Sequence, residues 1–361
     1  MGRLPPTPIA LEYAEEAVSR PGFCRKVPMT DAATVAPIRL GNVTLGTPVF
    51  LAPMAGITDL PFRRMVARFG AGLMVSEMVT GSEIVTRRPS ARASARARAE
   101  MDGGSTPVSV QIAGREAGVL AETARIVAGL GARIIDINMG CPAKKVTGGL
   151  AGAALMRDLD QALTLIGAVQ DAVPDLPVTL KMRLGWDADC LNAPLLARRA
   201  AAAGVAMLTV HGRTRAQFYT GQADWSAIRA VTAEVANSPF APPLVANGDV
   251  TDAVSARAAL SASGAAAVMV GRGAQGAPWR AAQISHALHG TPAPVLPPLA
   301  DLVGEHHGEI LSFYGRDLGL KVARKHLGWY AAEAGRAGGR AELMAAASPA
   351  EALRAIRAVF T

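Results

Sequence analysis

Eight short apolar runs punctuate most of this chain, and helix-length stretches separate most neighbouring runs. They fall at residues 49–52, 73–76, 108–112, 134–138, 178–182, 207–210, 244–246 and 267–270. Runs this short and this uniformly apolar suit strands buried on both faces of a parallel sheet. Stretches of helical composition lie between them at 61–69, 118–130, 159–172, 193–203, 225–236 and 251–261, the first with Asp59 as N-cap. Strands and helices alternating in this way predict an α/β fold, and a closed (β/α)8 TIM barrel in preference to an open doubly wound sheet. No G-x-G-x-x-G follows the first run, which weighs against a dinucleotide-binding sheet. With 361 residues, half of them apolar, the chain has room for a barrel of about 250 residues and a smaller appendage.

The appendage belongs at the C-terminal side. Pro292, Pro294, Pro297 and Pro298 make residues 291–298 a stiff linker. Beyond it, residues 299–361 are rich in Ala, Leu, Glu and Arg and carry no strand signal, so a C-terminal all-helical domain is expected, broken at Gly338-Gly339. Residues 39–290 then form the barrel domain. Residues 1–38 are an extension rich in Pro, Ala and charge, with a short helical candidate at 9–18. Met29 offers an alternative translation start, which a peptide from residues 4–20 of the native protein would exclude. No apolar run reaches the roughly 18 residues of a membrane span. The first six residues lack the apolar core of a secretory signal. A cytoplasmic protein is expected, with no membrane partner.

Chemistry concentrates at the ends of the strands. The fourth run leads into Asn138-Met139-Gly140-Cys141-Pro142-Ala143-Lys144-Lys145, so a thiol sits on a turn just past a strand end with two lysines beside it. A lone cysteine is more often a small buried hydrophobe, and Cys24 and Cys190 take that reading. Three cysteines without a CxxC pair or a Cys/His cluster indicate neither a disulfide framework nor a metal site. Asn247-Gly248-Asp249 follows the seventh run and Gly271-Arg272-Gly273 the eighth. Those are the two loops with which (β/α)8 barrels hold a phosphate, using close backbone approach and a guanidinium fork. Lys181 ends the fifth run and His211 follows the sixth.

The net charge of +8 suits a polyanionic partner, and basic surfaces also occur on proteins that bind no nucleic acid. Aromatics make up only 4% of residues, which disfavours a surface built for serial base stacking. Two basic features stand out: Arg87, Arg88, Arg92, Arg96 and Arg98 between the second and third strands, and Lys321, Arg324, Lys325 and His326 before Trp329-Tyr330. For each the ordinary reading is a solvated charged face, and for the arginine run an RNA contact stands level with it.

Residues 134–145, with Gly152 and Leu155, resemble the signature of the tRNA-dihydrouridine synthases, most closely the bacterial B-type branch. Matching blocks follow one order along the chain: Ala52 to Asp59, Ser76-Glu77-Met78, Gln111 to Gly114, Lys181-Met182-Arg183, His211 to Arg215, Asn247-Gly248-Asp249 and Gly271-Arg272. The likeness spans about 39–330. It implies an FMN-dependent oxidoreductase that reduces the 5,6 double bond of a uridine in tRNA, with NADPH as electron source. The positions it assigns to the flavin are Pro53, Met54, Ala55, Gln111, Lys181, His211, Asn247, Gly248, Asp249, Gly271 and Arg272. A cation such as Lys181 beside the ring would stabilise its anionic reduced form.

Cys141 is then the acid that protonates the base, a task for a thiol, which is how an ordinary cysteine stands at neutral pH. Asn138 and Arg213 are expected at the uracil edge, and Lys144 and Lys145 at phosphates. Lys321, Arg324 and Lys325 are expected on the tRNA, because that stretch also resembles the family's C-terminal domain. The loop Val146-Thr147-Gly148-Gly149 departs from relatives that carry further basic residues there. Two other readings compete. A different FMN barrel oxidoreductase, such as a dihydroorotate dehydrogenase, leaves the basic helical domain unexplained; a non-catalytic tRNA-binding protein leaves Cys141 and the flavin positions without a purpose.

Overall fold

Strand alternation decides what this barrel encloses. The computed structural model describes residues 37–81, 85, 106–238 and 240–361. The helical candidate at 9–18, Met29, Cys24 and the arginines from Arg87 to Arg98 lie outside the described residues. The strands are β1 (Ile38–Leu40), β2 (Val43–Leu45), β3 (Val49–Leu51), β4 (Leu73–Val75), β5 (Val79–Thr80), β6 (Val108–Ala113), β7 (Ile135–Met139), β8 (Val178–Arg183), β9 (Met207–His211), β10 (Leu244–Asn247) and β11 (Ala267–Val270). β3, β4 and β6 to β11 pair in parallel, in chain order, and the ring closes where Val268 of β11 lies opposite Val49 of β3. This is the expected (β/α)8 barrel. β5 runs beside the C-terminal end of β6.

The helices are α1 (Leu60–Phe69), α2 (Ala117–Gly129), α3 (Lys144–Thr147), α4 (Leu159–Ala172), α5 (Ala193–Ala202), α6 (Trp225–Ala236), α7 (Ala253–Ser263), α8 (Arg280–His289), α9 (Leu299–Tyr314), α10 (Arg316–Glu333), α11 (Arg340–Ala345) and α12 (Pro349–Phe360). Aspartates open four of the barrel helices: Asp59, Asp158, Asp224 and Asp252 each accept a backbone N–H of the first turn. Each satisfies an otherwise orphaned donor, which fixes where its helix begins.

Outward strand residues such as Ile137, Leu180 and Val210 pack under the helices in one large apolar cluster. Inward residues divide by position. Phe50, Leu73, Met207, Val245 and Ala267 form an apolar plug with Leu40, Val43 and Leu45 of the β1–β2 hairpin, which seals the end where the strands begin. That hairpin was not expected, because three-residue strands carry no readable period. Toward the other end, Gln111, Asp136, Asn138, Thr179, Lys181, Arg183 and Asn247 are buried inward-facing polar residues. The plug therefore pushes polar chemistry to the C-terminal mouth.

Residues 290–298 run without regular structure into α9. The helices α9 to α12 share a core of Leu302, Val303, Leu327, Leu343, Ile356 and Phe360 that also takes in Met65, Ala277 and Trp279 from the barrel side. Arg64 and Arg68 of α1 pair with Glu309 and Glu305 of α9 across this junction. Among the described residues no helix is long and apolar enough to cross a membrane, and no His, Cys, Asp and Glu cluster could hold a metal ion.

Candidate active site

A cavity of about 720 Å³ opens at the strands' C-terminal ends. All eleven positions assigned above to the flavin line it, together with Asn138 and Cys141. They converge because each faces inward from the C-terminal half of a strand or sits in the loop just after it.

The thiol is held by its own strand. Asn138 Oδ1 accepts the backbone N–H groups of Gly140 at 3.1 Å and Cys141 at 2.9 Å, closing the turn. Below it, the Cys141 carbonyl accepts the Ala153 N–H at 3.0 Å. Gly152, at φ +61°, passes so close that an added Cβ would lie 2.9 Å from the Cys141 carbonyl oxygen and 3.2 Å from its Cβ. Only glycine fits there, which gives a packing reason for the Gly152 singled out in the sequence.

Arg183 lines the cavity and was not singled out, although it lies two residues after Lys181 and so shares its inward face. Its Nε donates to the Gly140 carbonyl at 2.8 Å; one terminal nitrogen donates to the Thr214 and Phe218 carbonyls at 2.8 and 2.9 Å. It thus ties the Cys141 turn to the loop after β9. Phe218 holds a left-handed φ of +52°, a costly conformation for a bulky residue, at the cavity rim beside Tyr219. Burial and the neighbouring cations lower the Arg183 pKa to about 10, so it stays charged at neutral pH.

Arg213 goes elsewhere, and the expectation of a base contact is corrected. It is 1% exposed and does not line the cavity. Its five N–H donors meet Asp249 twice, at 3.0 and 2.6 Å, the Thr220 and Gly221 carbonyls, and His211 Nε2 at 3.3 Å. No donor is left for a ligand. Burial pushes the Asp249 carboxyl up, but hydrogen bonds from Arg213 and Ala223 and the charges of Arg213 and Arg272 hold it below the usual range. Arg272 is half exposed and stays at the mouth, 3.3 Å from Asp249.

Lys181 Nζ donates to Asn247 Oδ1 at 3.0 Å, and Asn247 Nδ2 donates to the Met269 carbonyl at 2.8 Å, which fixes that amide's orientation. Burial, with Arg183 nearby, lowers the Lys181 pKa to about 8. Burial also keeps His211 well below the ordinary imidazole value, with Lys181, Arg183, Arg213 and Arg272 adding to the effect. His211 is therefore neutral and takes a hydrogen on the nitrogen turned away from Arg213. Gly248, at φ +112°, lies against the His211 ring: a Cβ would approach its Cδ2 to 2.9 Å.

Lys144 and Lys145 are exposed on the single turn of α3. Lys321 and Arg324 are exposed on α10, with Arg324 reaching the Ala346 carbonyl at 3.3 Å. Lys325 is half-buried and donates to the carbonyl of Gly56, whose own N–H donates to Glu77. It braces the loop that carries Pro53, Met54 and Ala55 rather than standing free on the surface.

A buried cation, a neutral imidazole and a thiol at the C-terminal mouth of an eight-stranded barrel define a (β/α)8-barrel enzyme equipped to bind a polar ligand and move protons. The fold resembles that of a morphinone reductase variant in complex with tetrahydroNAD, with a TM-score of 0.52 at 13% identity over 73% of this chain and 92% of that one. The profile of the dihydrouridine synthase (Dus) family matches residues 50–361. A probable tRNA-dihydrouridine synthase of Rhodobacter capsulatus is 65% identical over 327 residues, 90% of this chain and 98% of the relative. tRNA-dihydrouridine synthase B of Pseudomonas aeruginosa is 46% identical over 298 residues, 82% of this chain and 87% of the relative. The chain belongs to the dihydrouridine synthase family and is an oxidoreductase of tRNA-dihydrouridine synthesis.

Proposed function

We propose that the cavity holds FMN and a uracil base drawn out of tRNA, and that the protein reduces the base's 5,6 double bond with NADPH as electron source. The observation that carries this reading is that Cys141 lines the same cavity as Lys181, His211 and the two glycine loops after β10 and β11. The cavity volume lies in the ordinary range for ligands of this size. The donor set suits a flavin mononucleotide. Gln111, Lys181 and Asn247 would hold the polar side of the ring, with Pro53, Met54 and Ala55 against it. His211, Gly248, Asp249, Gly271 and Arg272 would surround the phosphate end. At Gly271 an added Cβ would lie 3.7 Å from the Ala52 Cβ and 3.9 Å from the Met54 sulfur, in space this reading gives to the ligand.

Held by those residues, FMN would supply hydride chemistry at C6 of the base. Cys141 Sγ–H supplies the proton for C5, and the turn set by Asn138 and Arg183 aims it. Lys181 keeps positive charge beside the ring where negative charge develops. Drawing the base from its stack costs a few kcal/mol, which contacts elsewhere on the tRNA must return. Lys321 and Arg324 of the helical region 299–361, with Lys144 and Lys145 near the mouth, supply those contacts, and the barrel of 39–290 supplies the chemistry. The enzyme works in the cytoplasm, on tRNA. Lys181→Ala and Arg272→Ala should each weaken FMN retention, measured as flavin bound per protein and as dissociation constant. Full occupancy with unchanged affinity in both variants would refute the placement of the cofactor.

A further inference from the structure

Among the enclosed ionisable groups that take no part in the chemistry, Asp136 is the one set on the inner face of the barrel beside Lys181. Asp136 points inward from β7 and is 3% exposed. Its Oδ2 accepts Gln111 Nε2 at 2.7 Å and its Oδ1 accepts Thr179 Oγ1 at 2.6 Å. With Nε2 turned to Asp136, the Gln111 Oε1 faces the other way and accepts Asn138 Nδ2 at 2.6 Å. That leaves Asn138 Oδ1 for the Cys141 turn. Every bond donates toward the carboxylate, from the backbone N–H of Cys141 through Asn138 and Gln111 to Asp136, and reversing either amide would set like atoms against each other.

Lys181 stands on the adjacent strand and the same inward face, opposite Asn138, as Thr179 stands opposite Asp136. Arg183 of β8 and the neutral His211 of β9 are the other ionisable groups around it, with Cys141 on the turn after β7. Burial and Arg183 both disfavour its ammonium form, whereas the charge of Asp136 favours it. The Asp136 carboxyl is itself raised by burial, against the Gln111 and Thr179 hydrogen bonds and the Lys181 charge.

We propose that Asp136 is a positioning residue that acts through Lys181: its carboxylate is the buried counter-charge that keeps the Lys181 side chain an ammonium inside the barrel. The functional consequence rests on the reading of Lys181 as the cation beside the flavin, but the test does not. A neutral Asp136 would instead donate its proton to Thr179 Oγ1, which has the Ile135 carbonyl at 3.5 Å as an acceptor of its own, and would leave Lys181 without support.

The chain has only six lysines, so the Lys181 side chain can be followed by NMR in full-length protein labelled with ε-carbon-13 lysine, its signal assigned with Lys181→Met. In Asp136→Asn the Lys181 midpoint should fall by about one pH unit or more, as expected when an opposite charge on the same inward face of the adjacent strand is removed. Thr179→Val removes a hydrogen bond at the same place and keeps the charge, so its shift should be less than half as large. An unchanged midpoint in Asp136→Asn, or an equal shift in Thr179→Val, overturns the proposal. FMN affinity across the same pH range reports the consequence separately. If the midpoint moves and FMN affinity does not follow, the counter-charge stands and the assignment of Lys181 to the flavin fails. Should Asp136→Asn not fold, wild-type protein labelled at the aspartate carboxyl carbons decides: an ionised buried carboxyl near neutral pH supports the counter-charge, a protonated one overturns it.

Discussion

Two arginines show which single residues the sequence exposes and which it hides. Arg183 continues the alternation of β8, so its inward direction was readable from Lys181 two positions earlier. Arg213 lies beyond the end of β9, where no period applies, and its fate was set by an ion pair with Asp249, 36 residues further on. The alternation of Asp136 and Asn138 was equally visible, but the direction of their amide and carboxylate bonds needs three strands side by side. Replacing Arg183 with Lys tests the clamp. A single ammonium cannot reproduce a guanidinium that grips Gly140 with one nitrogen and the Thr214–Phe218 loop with another. FMN retention should stay near wild type, while dihydrouridine formation in a single turnover falls about 10²-fold as the thiol loses its aim. A normal rate with weakened flavin binding would place Arg183 in the cofactor site instead.

At the scale of elements, strand and helix positions followed the apolar periods closely, and Asp59 caps α1 as its position suggested. Its Oδ1 accepts the Phe62 N–H at 3.1 Å and its Oδ2 accepts the Tyr314 hydroxyl at 2.8 Å, so one residue starts a barrel helix and anchors α9. The second bond was illegible, because nothing local pairs residues 255 positions apart. Burial, helped by the charge of Glu77, raises the Asp59 pKa to about 6 despite the Phe62 and Tyr314 hydrogen bonds and Lys325. A carboxyl raised in the folded state takes stability away as pH rises from about 4 through 6, since folding then disfavours ionisation. Asp59→Asn keeps the capping oxygen and never ionises. It should therefore stabilise the protein by on the order of 2 kcal/mol near pH 8 and by almost nothing near pH 4, read from denaturant unfolding at both values. A loss at both would mean that the charge itself supports the junction.

For the whole molecule, the barrel and the helical region are joined by a core and by ion pairs across α1 and α9. Lys325 belongs to this joint through Gly56, which separates it from its neighbours on α10. The double variant Lys321→Ala with Arg324→Ala should weaken tRNA binding and leave reduction of the flavin by NADPH unchanged. Its log–log dependence of affinity on salt should be shallower by roughly 0.7–0.9 for each phosphate that is no longer neutralised. An unchanged slope would make this a solvated helix face. Composition could not sort these cations, because Lys321, Arg324 and Lys325 differ only in what the fold brings beside them.

The role of Cys141 is tested most directly by loading Cys141→Ala with FMN, reducing it, and following flavin reoxidation on rapid mixing with unmodified tRNA. A positioned acid contributes about 10²–10⁴-fold. Reoxidation should slow by that factor while flavin content and tRNA affinity stay near wild type. Reoxidation at the wild-type rate would show that the proton for C5 comes from another group.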